Sequence, residues 1–231
     1  MMVHLLFSVA VAVGWCIGVR RYMWAGIILV VLALLQPSLA HGAELIPPQA
    51  RQYLRPLTRE AQRAWGLDAP VARLAGQLHQ ESGWRADATS RYAGGLAQFT
   101  PDTATWIASA YPRDFGGVVA PYSPAWALRA VAVYDKHLYT RARGHTACDR
   151  WWFALRGYNG GAGHVAMEAR KATDPLDRHS VDAACGLSRR NRTHCPENLS
   201  YPRKILLRWE PAYYAAGWGW MPPVCQPNSS T

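Results

Sequence analysis

The sequence predicts a mainly α-helical domain with few or no strands and a disulfide-linked C-terminal extension. Three observations predict it. Apolar side chains recur at three- and four-residue spacing, as at Val71, Leu74, Ala75 and Leu78. Prolines stand where helices begin and glycines where they end, as at Pro70, Pro101 and Gly83. No stretch of six or more residues alternates polar and apolar as a half-buried strand does.

The elements follow in order. Ala43 to Gln49, with Pro47-Pro48, reads as a short linker. A helix is predicted over 69–82, and another over 101–110 with Thr100 as N-cap and Pro101 at its first position. A third covers 124–141, with Trp126, Ala130, Val133, Tyr134 and His137 on one stripe. Further helices are predicted over 148–156, 164–172 and 202–215, and the polar stretch 174–200 reads as a long loop held by a disulfide.

The N-terminus carries an apolar run over 3–19, then Arg20-Arg21, then a second apolar run from Tyr22 to Leu35 ending in small residues. The second half has the layout of an export signal with a cut after Ala40, and the double arginine loosely resembles a twin-arginine leader. The competing expectation is an inner-membrane anchor, since the first run approaches the ~17 residues of a minimal span. Translation starting near Val19 or Met23 would account for the surplus apolar run. Beyond Cys16 the cysteines are Cys148, Cys185, Cys195 and Cys225, an even number that reads as two disulfides in an oxidising compartment, with the pairing open. No CxxC pair occurs, so a metal site is not expected, nor is a cofactor.

The formal charge of +10 implies a polyanionic partner. No run of five or more Lys/Arg appears, which argues against a nucleic-acid arm, and charge alone does not choose between anionic lipid and an acidic cell-wall polymer. Glu81 is the unusual residue. It lies seven residues after Leu74 and three after Leu78, on the apolar face of its helix. Burial and the negative carbonyl end of the helix should both raise its pKa, as suits a general acid.

The segment Glu81-Ser82, Gly95-Leu96-Ala97-Gln98, Pro101 and Thr103-Ala104, followed by Gly157-Tyr158-Asn159, resembles the signature of the lysozyme-like lytic transglycosylases, whose domains cut bacterial peptidoglycan. The likeness covers about residues 65–170, with Ala97 where the family has Met and Gly157 where it has Ala. It implies a lysozyme-like domain over 65–173, preceded by a signal or membrane segment at 1–40 and a linker and lead-in at 41–64. Residues 174–231, outside the likeness, are expected to form a cysteine-containing extension packed on the same domain. The resemblance implies Glu81 as catalytic acid and then base, forming a 1,6-anhydro sugar without water. It also implies glycan contacts at Ser82, Gly95, Gln98, Tyr158 and Asn159. Ser82 could equally cap its helix, and Tyr158 could hold Glu81 instead.

The loop from Ser82 to Gln98 contains only Asp87 as an acid, read as a solvated loop residue, so a second catalytic carboxylate is not expected there. Trp84, Tyr92, Phe99 and Trp106 read as core packing ahead of sugar stacking, and His79 and His164 as structural. The alternatives are a goose-type-lysozyme-like hydrolase and a non-catalytic wall-binding component. Small exported members of the family resemble those that open the wall for secretion, conjugation or pilus machines, which makes such a complex an implied partner and the periplasm the expected location. Amino-terminal sequencing of the exported protein is expected to begin at His41; a retained leader would instead support the anchor.

Overall fold

The computed structural model describes residues 46–225, and the statements below concern those residues. The expected leader, its cut and the first part of the linker, up to residue 45, lie outside them. A 3-10 turn at Pro48–Tyr53 leads into α1 (Leu54–Trp65), α2 (Val71–Ser82), α3 (Pro101–Ala110), the single turn α4 (Pro112–Phe115) and α5 (Pro124–Arg141). Then come α6 (Ala147–Gly160), α7 (Ala162–Ala169) and α8 (Arg178–Ala183). A 3-10 turn at Arg192–His194 opens the last run, α9 (Cys195–Lys204), a π segment (Ile205–Trp209) and α10 (Glu210–Ala215). Only isolated bridges occur beside these, Thr89 with Gly94 and Gly94 with Phe99.

Local chemistry accounts for several ends. Thr100 caps α3 by accepting from the Thr103 N–H at 3.2 Å, and Thr146 and Asp149 form a reciprocal capping box on α6. Gly83 closes α2 in the left-handed region at φ 59°, which an L side chain reaches only with strain. Pro202 and Pro211 lack the amide proton that the α ladder needs, and the π segment lies between them.

Two apolar clusters form the core. One gathers Leu57, Leu74, Leu78, Leu96, Ile107 and Leu128; the other gathers Trp151, Leu155, Ile205 and Leu206. Each such side chain contributes about 1.5–3 kcal/mol on full burial. Trp65, Tyr134, Tyr158 and Trp209 pack on both clusters and join them.

Several elements differ from the sequence reading. The lead-in folds as α1, which buries Leu57 and Ala61, while its Glu60 accepts from Arg129 Nε of α5 at 2.9 Å. On α5 the buried set is Trp126, Ala127, Leu128, Ala130, Val131, Ala132, Asp135 and Leu138; Trp126 and Ala130 of the expected stripe are buried, whereas Val133, Tyr134 and His137 are only half-buried. α6 continues past Arg156 to Gly160, so the Gly157-Tyr158-Asn159 motif is helical. The stretch 174–200 is not one loop: it contains α8 and the start of α9. The described cysteines pair as Cys148–Cys225, which ties Cys225 to α6, and Cys185–Cys195. No helix among the described residues is long and apolar enough to cross a membrane.

α2 is packed tightly against the C-terminal run. A Cβ at Gly76 would sit 2.8 Å from Trp209 Cβ and 3.1 Å from the Glu210 amide nitrogen. Gly76→Val is therefore expected to destabilise the fold by about 1–3 kcal/mol, lowering the melting temperature by about 2–4 °C per kcal/mol. Gly163→Ala, on α7 with nothing within 4 Å of its added carbon, is expected to stabilise by roughly 0.5 kcal/mol. Thermal denaturation of both variants checks the contrast.

Candidate active site

Glu81 occupies the last turn of α2, a helix buried without a break from Val71 to Leu78. The chain then turns sharply through Gly83 and Trp84, the latter buried at φ 67°. That conformation is strained for a side chain this large, and the indole is held by donating Nε1 to Tyr213 Oη at 2.5 Å.

The loop from Ser82 to Gln98 is organised from within. Gln98, at φ 48°, donates its amide to the carbonyls of Ala88 at 3.0 Å and Gly95 at 2.9 Å. Gly95 lies at φ 76°, and a Cβ there would come within 2.0 Å of the Pro121 carbonyl oxygen, so only glycine fits. Tyr158 on α6 donates its hydroxyl to the Ala97 carbonyl at 2.7 Å, tying the loop to the helix.

The side chains expected to meet the glycan make the following contacts within the protein. Ser82 is buried and donates to the Leu78 carbonyl at 3.2 Å, and Gly95 is buried against Pro121; both face protein. Tyr158 holds the loop rather than Glu81. Gln98 spends its donors on the loop but is half-buried. Asn159, also half-buried, accepts from Asn198 at 3.0 Å and donates to Glu197 at 3.4 Å. Trp84 and Phe99 are core residues, whereas Tyr92 and Trp106 are 67% and 42% exposed, against the expectation of packing. Asp87 is exposed.

The phenol that reaches Glu81 comes from the extension. Tyr201 on α9, buried, donates its hydroxyl to Glu81 Oε1, and its ring stacks parallel to that of Tyr158 at 6.3 Å. Sequence reasoning missed it because it lies 120 residues from Glu81. The available signal was its spacing of four from Ile205, which places both on one buried helix face.

Glu81 keeps part of its surface open yet is surrounded by protein, and burial pushes its pKa up to about 8. The Tyr201 hydrogen bond opposes that rise, and the charges of Asp135 and Glu197 add to it. Asp135 of α5 is likewise pushed to about 8 by burial, against a 3.3 Å hydrogen bond from Gln77 and the charge of Arg73. Burial and the neighbouring Glu81 raise Tyr201 well above the ordinary phenol value, so it remains a donor. The arrangement holds a neutral carboxylic acid beside a fixed phenol, able to give up a proton and to receive hydrogen-bond support once charged. No group of acidic, histidine or cysteine side chains among the described residues could hold a metal ion.

Because the folded Glu81 binds its proton more tightly than an ordinary carboxyl, its contribution to stability is full below about pH 4.5 and is lost as pH rises through about 8. Glu81→Gln has no proton to lose, and its melting temperature is expected to exceed that of wild type by more at about pH 9 than at about pH 4. In Tyr201→Phe, the Glu81 carboxyl is expected to titrate still higher than about 8, read from its carbon-13 resonance.

The family described as the transglycosylase SLT domain matches residues 57–181, more than half of the 231-residue chain. The chain is also 32% identical over 133 residues to the membrane-bound lytic murein transglycosylase F of Maricaulis maris (strain MCS10), a match covering 57% of this chain and 26% of that protein. Both findings agree with the three motif elements and with the helical frame that brings them around Glu81. The chain belongs to the transglycosylase SLT domain family.

Proposed function

We propose that the protein is a peptidoglycan lytic transglycosylase that cleaves the β-1,4 bond between N-acetylmuramic acid and N-acetylglucosamine. The observation that carries this reading is a single carboxylic acid, Glu81, held neutral up to about pH 8 by burial at the edge of the motif-bearing loop, with a phenol on its Oε1. Glu81 gives its proton to the glycosidic oxygen as the bond from that oxygen to the muramic-acid anomeric carbon breaks. The resulting carboxylate, supported by Tyr201, takes the proton of the sugar's own sixth-carbon hydroxyl, whose oxygen bonds to the anomeric carbon. The products are a 1,6-anhydro muramic-acid end and a free N-acetylglucosamine hydroxyl, and Glu81 is again protonated.

Half-buried Gln98 and Asn159 are the amides best placed to meet the sugars. The formal charge of +10 favours an acidic wall. Two disulfides support a location in an oxidising compartment, for which the periplasm is the reading, and a secretion, conjugation or pilus complex is a compatible partner.

A hydrolase reading has one specific observation behind it. Glu197, exposed on α9, is the solvent-facing carboxylate whose charge bears on Glu81, and a water-activating base would need such a position. Asp135 is too deeply buried to meet a water at the cleft.

Glu81→Gln is expected to reduce digestion of purified sacculi by at least a hundredfold, given the size of general-acid effects, about 10²–10⁴-fold. Mass spectrometry of the wild-type digest is expected to find 1,6-anhydro ends. Reducing ends alone, lost in Glu197→Gln, would establish hydrolysis instead, and undiminished lysis by Glu81→Gln would overturn the assignment of Glu81.

A further inference from the structure

Two acids lie beneath the cleft, and the reaction as written uses one of them. Glu81 keeps part of its surface open, whereas Asp135, midway along α5, is only 1% exposed. Facing Asp135 from α2 is Gln77, wholly buried and one turn before Glu81. Gln77 Nε2 donates to Asp135 Oδ1 at 3.3 Å. The other oxygen of each group, Asp135 Oδ2 and Gln77 Oε1, is buried without a hydrogen-bond partner among the described residues.

An ionised Asp135 would leave these two oxygens as acceptors with no donor between them. An acid that carries its proton on Oδ2 has a donor for Gln77 Oε1. Carboxylic acid and carboxamide then close a ring of two hydrogen bonds, N–H to oxygen one way and O–H to oxygen the other. One proton thus satisfies both buried acceptors, and leaving them unmet is the costly alternative.

The groups around Asp135 agree. Among the described residues, Arg73 of α2 is the cation that bears on it, and that guanidinium is committed to Glu210 of α10 at 2.5 Å. Tyr134 of α5, Tyr158 of α6 and Tyr201 of α9 are the other titratable groups that feel it, besides Glu81, and burial raises all three phenols. Burial likewise pushes Asp135 up to about 8, against Gln77 and Arg73. Two buried acids whose charges act on each other lose their protons in succession. Glu81 has the open side and the Tyr201 hydroxyl to support its anion, so its proton leaves first.

We propose that Asp135 is a positioning residue: paired with Gln77, it keeps its proton while Glu81 gives its own away, so that the new carboxylate faces no unpaired buried anion. The proposal rests on Glu81 acting as the acid and deepens that reading. An ionised Asp135 would add to the proton affinity of Glu81 and so oppose protonation of the glycosidic oxygen. Gln77 and Asp135 also bear on Tyr158, whose hydroxyl anchors the loop at Ala97.

The test is a carboxyl carbon-13 titration of the full chain, each site assigned through its own backbone. In the wild type, Asp135 is expected to give the resonance of a protonated acid at about pH 7 and to keep it while Glu81 titrates. Asp135→Asn makes the same ring without charge, and is expected to leave the Glu81 midpoint within about 0.3 pH unit of wild type. Asp135→Leu strands the Gln77 amide, and is expected to slow turnover of purified sacculi about tenfold through Tyr158, a loss that Asp135→Asn largely avoids. An ionised Asp135 at about pH 7, a larger fall of the Glu81 midpoint in Asp135→Asn, or equal slowing in the two variants would each overturn the proposal. The wild-type titration decides it even where a variant fails to fold. Digestion by Glu81→Gln judges the reaction separately. Lysis abolished there with Asp135 ionised in the wild type leaves the reaction standing and removes the pair, and undiminished lysis with Asp135 protonated removes Glu81 as the acid and with it the role given to Asp135.

Discussion

Everything at the site depends on how closely α2 is clasped by the last helical run. Arg73, on the same helix as Glu81, forms a fully buried ion pair with Glu210 at 2.5 Å. Removing either partner would strand a charge without water, a strongly destabilising change, so the two segments are locked in one register. Around that pair, His79 stacks on Trp209 with ring centres 3.8 Å apart, Gln80 accepts from the Trp209 indole at 3.1 Å, and Trp84 donates to Tyr213. The missing side chain at Gly76 permits this approach. With α2 and the run held in this way, Tyr201 has one place to go, against the Glu81 carboxyl.

The clasp has an electrostatic consequence. Burial raises the proton affinity of Glu81 and Asp135, and it keeps Tyr158 and Tyr201 neutral. The two phenols then divide the work. Tyr158 anchors the loop at Ala97, which fixes the edge of the cleft, and Tyr201 steadies the acid. A site of this kind sacrifices stability, because a carboxyl that must ionise during a reaction is kept where ionisation is unfavourable.

A second polar layer supports the far side. Arg156, wholly buried on α6, pairs with Glu168 of α7 and with Asp182 of α8, and Glu168 also receives Arg190. Asn198 of α9 joins this layer by accepting from Arg156 Nε at 3.0 Å and donating to the Arg156 carbonyl at 2.9 Å and to Asn159. These contacts set the third motif element, Gly157-Tyr158-Asn159, against α9. Beyond residue 181, where the family match ends, the chain therefore supplies the phenol on Glu81 and the Asn198 that holds Asn159.

Much of this was written locally and could be read. The end of α2 at Gly83, the capped start of α3 at Thr100-Pro101 and the span of α5 each depend on consecutive residues, as does the placing of Glu81 on a buried face. Other features were obscured by local signals that tertiary packing overrode. Pro56 near its start and a run of polar residues hid α1, whose helicity is rewarded only by burying Leu57 and Ala61 against the core. The glycines at 157, 160 and 161 suggested an early stop for α6, yet contacts to α7 and α9 carry it to Gly160.

By itself the sequence determined the helical class, the three motif elements and the single acid at the end of α2. Only the tertiary structure decided which cysteines pair, that Asp135 and Tyr201 bear on Glu81, and that Asn198 holds Asn159. The reason is physical: propensity, capping and periodicity act between neighbours, whereas a buried proton's energy depends on groups brought together from positions as much as 120 residues apart.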